Sequence, residues 1–429
     1  MTISRRKFLE TTAVSALTLS AATYTRAAEK PNERIRIAVM GTRSRGKDLI
    51  KVFNAQANVE ITHIIEPDEN IWPDTMKLFK DRQSHPKTEK YIRKVLEDAS
   101  LTALVVAAPD NWHALATVWA CEAEKHVYCE KPCSHTLVEG RRMVQAARKH
   151  KRVVQIGTQR RSASDVVAAR EYIQSGKLGK VAFARAWIAG NRPNIGKASP
   201  SPVPQGVDYS LWLGPAAETP FTKNRFHYNW HWFWDLGTGE LGNNGIHYLD
   251  VGRNVLGLDA PTRISCSGGK YYYDDDQQTP DTQIASFDFS TGAGGATGCT
   301  IVWEHRVWER KGPEDLTSGI IFHGDKGMLI FKGDGWEVRG GDGTKEPAGK
   351  DIVGNHVRNF LDCIRENKTP NGDIEEGHKS TRLCHLGNIA FRTGRTLYFD
   401  ATTETFKDDP AANNLLGRDY RKGFELPVV

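Results

Sequence analysis

No stretch of this sequence approaches the roughly 18 consecutive apolar residues of a membrane-spanning helix, so no membrane anchor is expected. Cysteine is scarce and scattered. The seven, at 121, 129, 133, 266, 299, 363 and 384, form neither a CxxC pair nor a Cys/His zinc spacing, so neither a disulfide framework nor a metal site is signalled. Most of them read as small buried apolar residues. A strong excess of one charge is also missing. The formal charge is +6, and residues 1–28 alone carry a net +3 of it, which leaves too mild a balance for a nucleic-acid partner. Internal repeats are absent as well.

What is present is a chain of 429 residues, 39% hydrophobic and 26% charged, with room for two sizeable cores and hence two domains. Its amino terminus reads as an address. Ser4-Arg5-Arg6-Lys7-Phe8-Leu9, a weakly apolar stretch from Thr11 to Thr23 and the small pair Ala27-Ala28 have the three-part layout of a secretory signal. The paired arginines make it a twin-arginine signal, and no lipidation cysteine sits at its end. Residues 1–28 are therefore expected to direct a folded protein to the periplasm or the medium. A cofactor loaded in the cytoplasm is the usual reason to fold before export, and it would let the cysteines fold reduced.

From residue 34 the pattern alternates between strand and helix. Arg34–Met40 reads as a first strand, and Gly41-Thr42-Arg43-Ser44-Arg45-Gly46 turns it into a helix over Lys47–Ala55. Glycines at the first and last places of G-x-G-x-x-G allow a tight turn and close helix packing, with helix-end N–H groups facing a pyrophosphate. Gly41, Thr42, Arg43, Arg45 and Gly46 are accordingly candidate cofactor contacts, although Arg43 stands where the middle glycine is usual. A second strand, Val59–Ile65, ends at Glu66, twenty residues after Gly46, where an acid binds ribose hydroxyls. A carboxylate there repels a 2′-phosphate, which favours NAD over NADP. Arg43 can offset that preference, which keeps NADP open, and Asp68 is the alternative acid. A helix over Lys90–Leu96, a strand over Leu101–Ala107, a helix over Ala114–Glu124 and another over Thr136–His150 continue the rhythm to Val153–Ile156. Such alternation argues for a doubly wound parallel sheet over residues 34–152. In the Pro109–His113 loop, Pro109, Asn111 and His113 are candidate nicotinamide-side contacts, with Asn111 also fit to cap the next helix.

Val127-Tyr128-Cys129-Glu130-Lys131-Pro132 is the stretch around which the rest is organised. An apolar run of β-formers closed by a proline places Lys131 at the carboxyl end of a buried parallel strand, where ligands of open α/β sheets bind. Downstream, Gln159-Arg160-Arg161 offers Arg160 or Arg161 to a sugar hydroxyl or a cofactor phosphate. A helix follows near Asp165–Gln174 and then a strand over Val181–Ala189. Residues 191–207, rich in Pro, Gly and Ser, read as a long loop over the cleft. Tyr228–Asp235 is the densest aromatic cluster, and Trp230 within it is a candidate sugar-stacking platform. Asn243 and His247 share a face of a helix running to Leu256. The imidazole can take a hydroxyl proton as hydride leaves the adjacent carbon, and Asp250 can orient it. Asp274–Asp276 reads as a solvated acidic loop, Ser290–Gly298 as a hairpin, and His356–Glu366 and Ser380–Phe391 as helices packing on the first domain. The tail after Asp400 reads as an arm for a neighbouring subunit.

Gly41-x4-Gly46, Ala108-Pro109-Asp110-Asn111-Trp112-His113, Tyr128-Cys129-Glu130-Lys131-Pro132 and Gly245-Ile246-His247-Tyr248-Leu249-Asp250 together resemble the glucose-fructose oxidoreductase, inositol dehydrogenase and MocA family (Gfo/Idh/MocA). The likeness extends to the carboxyl end. It looks closest to a secreted branch, through His356–Cys363 and Gly387-Asn388-Ile389-Ala390. The resemblance implies an α/β fold: an amino-terminal Rossmann domain and a carboxyl-terminal α/β domain, here residues 153–429, with a large, mostly antiparallel sheet through which homo-oligomers form. It also implies a catalytic Lys131 and a Glu130 near the nicotinamide ribose. Where the family commonly carries Asp, this chain has Asn243, which fits a substrate hydrogen-bond donor better than a charged relay.

The activity expected is that of an exported NAD(P)-dependent oxidoreductase acting on a sugar or polyol. Lys131 would hydrogen-bond the reacting oxygen and His247 relay its proton, with the cofactor held tightly and regenerated in place. One rival is transient oxidation of a glycoside followed by elimination, a net hydrolysis or lyase reaction that consumes no NAD. The other is a sugar-binding protein that kept the fold and lost catalysis. Intact Glu130, Lys131 and His247 argue against that one, Arg43 and Asn243 for it.

Overall fold

The computed structural model describes residues 34–82 and 85–429, so the signal-like segment 1–28 lies outside the described residues. Six strands form a first sheet: β1 (Ile35–Met40), β2 (Val59–Ile65), β3 (Lys87–Glu89), β4 (Ala103–Val106), β5 (His126–Cys129) and β6 (Val154–Ile156). Every neighbouring pair is parallel, in the order β3-β2-β1-β4-β5-β6. Ala-Leu-Val-Val of β4 is buried on both faces, as a strand covered by helices from both sides must be. The crossover helices include α1 (Ser44–Asn54), α2 (Asp110–Glu122) and α3 (Leu137–Lys149). A capping box starts α3: the Thr136 hydroxyl accepts from the Glu139 amide, and the Glu139 carboxylate accepts from the Thr136 amide at 3.1 Å. The strand order reverses between β1 and β4, so the crevice opens beyond their carboxyl ends, at Gly41 and Ala107.

Ten strands make the second sheet: β7 (Val181–Ala189), β8 (Arg263–Gly269), β9 (Thr282–Phe289), β10 (Cys299–Arg306), β11 (Ser318–Gly324), β12 (Gly327–Lys332), β13 (Gly335–Arg339), β14 (Lys345–Pro347), β15 (Leu397–Asp400) and β16 (Thr405–Phe406). Their order is β14-β13-β12-β11-β7-β10-β9-β8-β15-β16, antiparallel throughout except for the pair β7 and β10. Helices α4 (Ser164–Gln174) and α5 (Ile246–Leu256) cover it. Ile173, Leu249 and Val255 are packed into one core with Ile264, Phe287 and Ile301 of the strands. The expected α/β architecture, a parallel doubly wound sheet followed by a large, mostly antiparallel one, is therefore what the chain forms.

Several local expectations change. The helix read over Lys90–Leu96 covers only Ile92–Leu96, because Tyr91 is still extended (φ −117°, ψ 119°) and caps it, after the edge strand β3 at Lys87–Glu89. Two later helices are longer than their periodicity suggests: α6 (Ile352–Glu366), and α7 (Ile374–Thr393), which starts where the Asp373 side chain caps the Glu375 amide. Helix α6 packs on the first sheet, with Phe360 edge-on to Phe53 and Tyr128. By contrast, α7 belongs to both cores: Ile374 sits in that of the first sheet, Leu383, Leu386 and Ile389 in that of the second. The run Asp274–Asp276 is not merely solvated. Asp275 is buried and accepts from the Ile195 amide at 3.0 Å, Asp276 accepts from the Ala198 amide at 2.8 Å, and Asp274 pairs with Lys197. All three hold the loop that follows β7. The tail after Asp400 folds onto its own chain, where Arg418 pairs with Glu139 at 2.8 Å and Phe424 meets Trp112 edge-on. All seven cysteines are free, and all but Cys266 are buried. Among the described residues no helix is long and apolar enough to cross a membrane.

Candidate active site

A cleft of about 620 Å³ runs from the carboxyl ends of β1 and β2 to the turn that precedes α5. Its first wall is the glycine turn. Gly41 has φ +80°, and a Cβ there would meet the Ala107 carbonyl oxygen at 2.6 Å. At Gly46 a Cβ would lie 1.9 Å from the Gly41 oxygen. Both positions thus demand glycine so that β1, the turn and the end of β4 can close on one another. Arg43 has a negative φ of −82°, so its backbone does not call for the left-handed freedom of glycine. Its side chain lines the cleft beside Ser44 and Arg45.

Glu66, 5% exposed, closes this end. Its carboxylate accepts from the Thr42 amide at 3.0 Å and the Asp68 amide at 3.3 Å, while burial pushes its pKa up to about 7. The other acid, Asp68, is committed elsewhere: it caps the turn at Asn70 and pairs with His227 at 2.7 Å.

At the middle of the cleft the ends of β4 and β5 meet. Pro109, not Asn111, is the cap residue of α2, since Asp110 already has helical geometry. Asn111 therefore lies inside the helix and donates to the Leu213 carbonyl at 2.7 Å. It is absent from the cleft wall, which removes it from the candidate cofactor contacts. His113 does line the cleft, with its ring nitrogens 2.7 Å from the Pro132 carbonyl and 2.9 Å from that of Ala108, and so buckles the two strand ends together. Arg45 donates to the Glu130 carboxylate at 2.7 Å, and its Nη2 atom is buried without a partner. A glycine cradle and an orphaned guanidinium nitrogen beside the first turn of α1 fit the anionic bridge of a dinucleotide.

The far end holds the groups for proton chemistry. Lys131 Nζ donates to the Asn243 carbonyl at 2.8 Å. Burial pushes its pKa down, and Glu130, Asp110 and Glu240 act in the other direction. Asn243 lies in a π-helical turn, Leu241–Gly245, and α5 follows directly with His247 as its second residue. The expected helix thus has the right bounds, but Asn243 sits in a wider turn before it. Such turns are frequent at functional sites. Lys131, Asn243 and His247 all line the cleft, and burial, with the Lys131, Arg160 and Arg45 charges, holds the His247 imidazole well below its ordinary pKa.

Asp250 does not orient that ring. It forms a buried ion pair with Arg161 at 2.7 Å and accepts from Ser380 at 2.6 Å. Arg160 lies over the Tyr248 ring at 5.2 Å, behind the cleft wall, where Gln159 stands. Trp230 is in the wall, stacked on His231 at 3.6 Å between ring centres, with Tyr228 beside them. Trp232 and Phe233 are buried.

Sequence reasoning missed Asp110 and Glu240. Asp110, 2% exposed and in the cleft wall, accepts from the Thr238 hydroxyl at 2.7 Å, and burial pushes its carboxyl up to about 7. Its only signal was an acid directly after Pro109, which reads equally as a helix start. Among the described residues no group of three or more His, Cys, Asp or Glu side chains could hold a metal ion.

Comparison with known proteins adds a second line. Residues 35–158 match the family model described as "Oxidoreductase family, NAD-binding Rossmann fold", and residues 193–426 match "Oxidoreductase family, C-terminal alpha/beta domain". The chain is similar to the myo-inositol 2-dehydrogenase of Thermotoga maritima, 26% identical over 136 residues, 32% of this chain and 37% of that protein. It is also similar to the uncharacterized oxidoreductase YrbE of Bacillus subtilis, 30% identical over 252 residues, 58% and 63% of the two chains. The levoglucosan dehydrogenase of Pseudarthrobacter phenanthrenivorans is 30% identical over 165 residues, 38% and 35%. The chain thus spans less than two thirds of the length of these curated relatives. Among solved structures, the WlbA dehydrogenase of Bordetella pertussis, in complex with NADH and UDP-GlcNAcA, superposes with a TM-score of 0.65 at 17% identity, over 86% of this chain and 99% of that one. The aldose-aldose oxidoreductase of Caulobacter crescentus, complexed with glycerol, gives 0.66 at 18%, over 85% and 100%.

Proposed function

The chain belongs to the Gfo/Idh/MocA oxidoreductase family, and from that premise we infer that it is an exported enzyme transferring a hydride between a sugar or polyol carbinol and tightly held NAD. The observation that carries this reading is the shared cleft: Lys131, just past the end of β5, and His247, on helix α5 against the second sheet, line one cavity whose other end is the glycine turn and Glu66. When bound, NAD supplies the hydride acceptor at its nicotinamide ring. Gly41 and Gly46 leave the turn open to the pyrophosphate, Arg45 meets its charge, and Glu66 accepts from the ribose hydroxyls. Lys131 donates to the carbinol oxygen from a nitrogen already anchored on Asn243. His247, kept neutral by burial, takes the hydroxyl proton. Trp230 offers a ring face to the C–H side of a sugar.

Export rests on the paired arginines and the small-residue end of residues 1–28. It fits a cofactor that is loaded before transport and regenerated in place. Homo-oligomer formation is part of the same reading. The test is to purify the processed protein, identify the nucleotide it releases by mass spectrometry, and offer the loaded protein a panel of sugars, polyols and glycosides. Reduction of bound NAD by a sugar or polyol is the expected result. Release of sugar from a glycoside with the nucleotide unchanged would move the protein to the elimination class, and release of no nucleotide would refute the reading.

A further inference from the structure

Glu240 opens the π-helical turn that carries Asn243, and at 1% exposure it is a carboxylate with almost no access to water. Arg192 grips it with a fork, Nε to Oε2 at 2.9 Å and Nη2 to Oε1 at 3.1 Å. The side-chain amide of Asn243 donates to Oε2 at 3.4 Å, and that of Asn244 donates to Oε1. Both carboxylate oxygens are thus filled by protein, so Glu240 has no oxygen left for a ligand, and it does not appear in the cleft wall. It instead joins two things that touch the cleft. One is the turn whose Asn243 carbonyl receives Lys131 Nζ. The other is the aromatic wall: the Arg192 guanidinium donates to the Tyr228 hydroxyl at 3.3 Å and lies 4.8 Å over the Trp232 ring.

A buried ion pair is weak as a source of stability, because apolar side chains of the same volume do as well. A fully satisfied buried network is strong at fixing geometry. We propose that Glu240 is a positioning residue of this site, holding the Asn243 turn in register with Lys131 and tying it through Arg192 to the wall at Tyr228. The assignment rests on the functional reading above for its kinetic consequence, and on geometry alone for its effect on Lys131.

Glu240→Gln is the test, because it keeps the shape but places an amide donor against the guanidinium or the asparagine amides. Displacement of a reacting group by a fraction of its contact distance costs up to about a hundredfold, so kcat with the sugar is expected to fall by roughly tenfold or more, with KM changed less than about threefold. NADH affinity, measured by fluorescence titration, stays within about twofold, since no dinucleotide contact is lost. Arg192→Lys, which keeps the charge and loses the fork, falls between wild type and Glu240→Gln. The paired variant R192Q/E240Q leaves no buried ion unpaired, and it carries the same prediction should a single variant fail to fold. A second readout needs no turnover: labelling of Lys131 by an amine-reactive reagent, followed by peptide mass spectrometry, speeds up in E240Q as the anchoring carbonyl shifts. If wild type oxidised no sugar, the functional reading would fall and the labelling experiment would still decide the role of Glu240. Unchanged kcat together with unchanged labelling overturns the proposal, as does a loss of NADH affinity that matches the loss of kcat.

Discussion

The carboxyl of Glu66 shows how one residue carries two demands. In the proposed reading it faces ribose hydroxyls, and its burial raises its pKa from 4.5 to about 7 although the Thr42 and Asp68 amides act against the rise. Between those values the folded chain holds a proton that the unfolded chain has released. The stability it contributes is therefore full below about pH 4.5 and lost as pH rises through about 7, on the order of 3 kcal/mol in all. Protein stripped of nucleotide should then show a thermal midpoint that falls between those pH values more steeply in wild type than in Glu66→Gln, as read by scanning calorimetry. Parallel curves would show that Glu66 does not titrate in that window. Asp110, raised to about 7 from 3.8, adds a slope of the same sign, which the comparison of the two proteins cancels. Neither shift is legible in the sequence, because burial is a property of what the fold brings around a residue.

At the scale of elements, the turn between β1 and α1 allows the sharpest test. A methyl group at Gly46 would overlap the Gly41 oxygen, and relief requires the strand and the helix to part. Gly46→Ala is expected to destabilise by about 1–3 kcal/mol and to release bound NAD, measured by denaturant unfolding and by nucleotide retention on a sizing column. Wild-type retention would show that the turn does not shape the nucleotide site. Elements with a clear hydrophobic pattern were readable to the residue: the strands β2 and β7 and the helix α5 have the expected bounds. The first half of α7 was not, because Ile-Glu-Glu-Gly-His-Lys lacks an apolar stripe and is held by tertiary packing, with Gly377 against Ile156. Asn111 failed as a cap for a smaller reason. Pro109 ends the loop two residues earlier, so α2 has begun before Asn111 is reached. Within the site, Lys131, Asn243, His247 and the glycine turn follow from motif order. Glu240 does not, because its partner Arg192 lies 48 positions away in a segment without secondary structure.

The whole molecule works by convergence: two sheets, each with its own core, are joined by α7, which contributes side chains to both. The loop after β7 reaches across as well, since the Gly206 carbonyl accepts from the Glu69 amide at 3.1 Å. The proposed export belongs to this scale too, because a twin-arginine route would carry the chain already folded and loaded. Replacing Arg5 and Arg6 by lysines should leave the protein unprocessed and inside the cell, seen by fractionation and by the mass of the chain; normal processing would remove the twin-arginine assignment. The central claim is that the Lys131 ammonium group beyond β5 and the His247 imidazole on α5 act on one carbinol beside bound nicotinamide. Its most direct test is a single turnover of NAD-loaded protein with a fully deuterated substrate sugar, followed by the mass of the recovered nucleotide. Wild type should yield reduced nucleotide carrying one deuterium, while Lys131→Met and His247→Gln should retain NAD but label it roughly a hundred- to ten-thousandfold more slowly. Labelling by either variant at the wild-type rate, or no label in the wild type, would contradict the account.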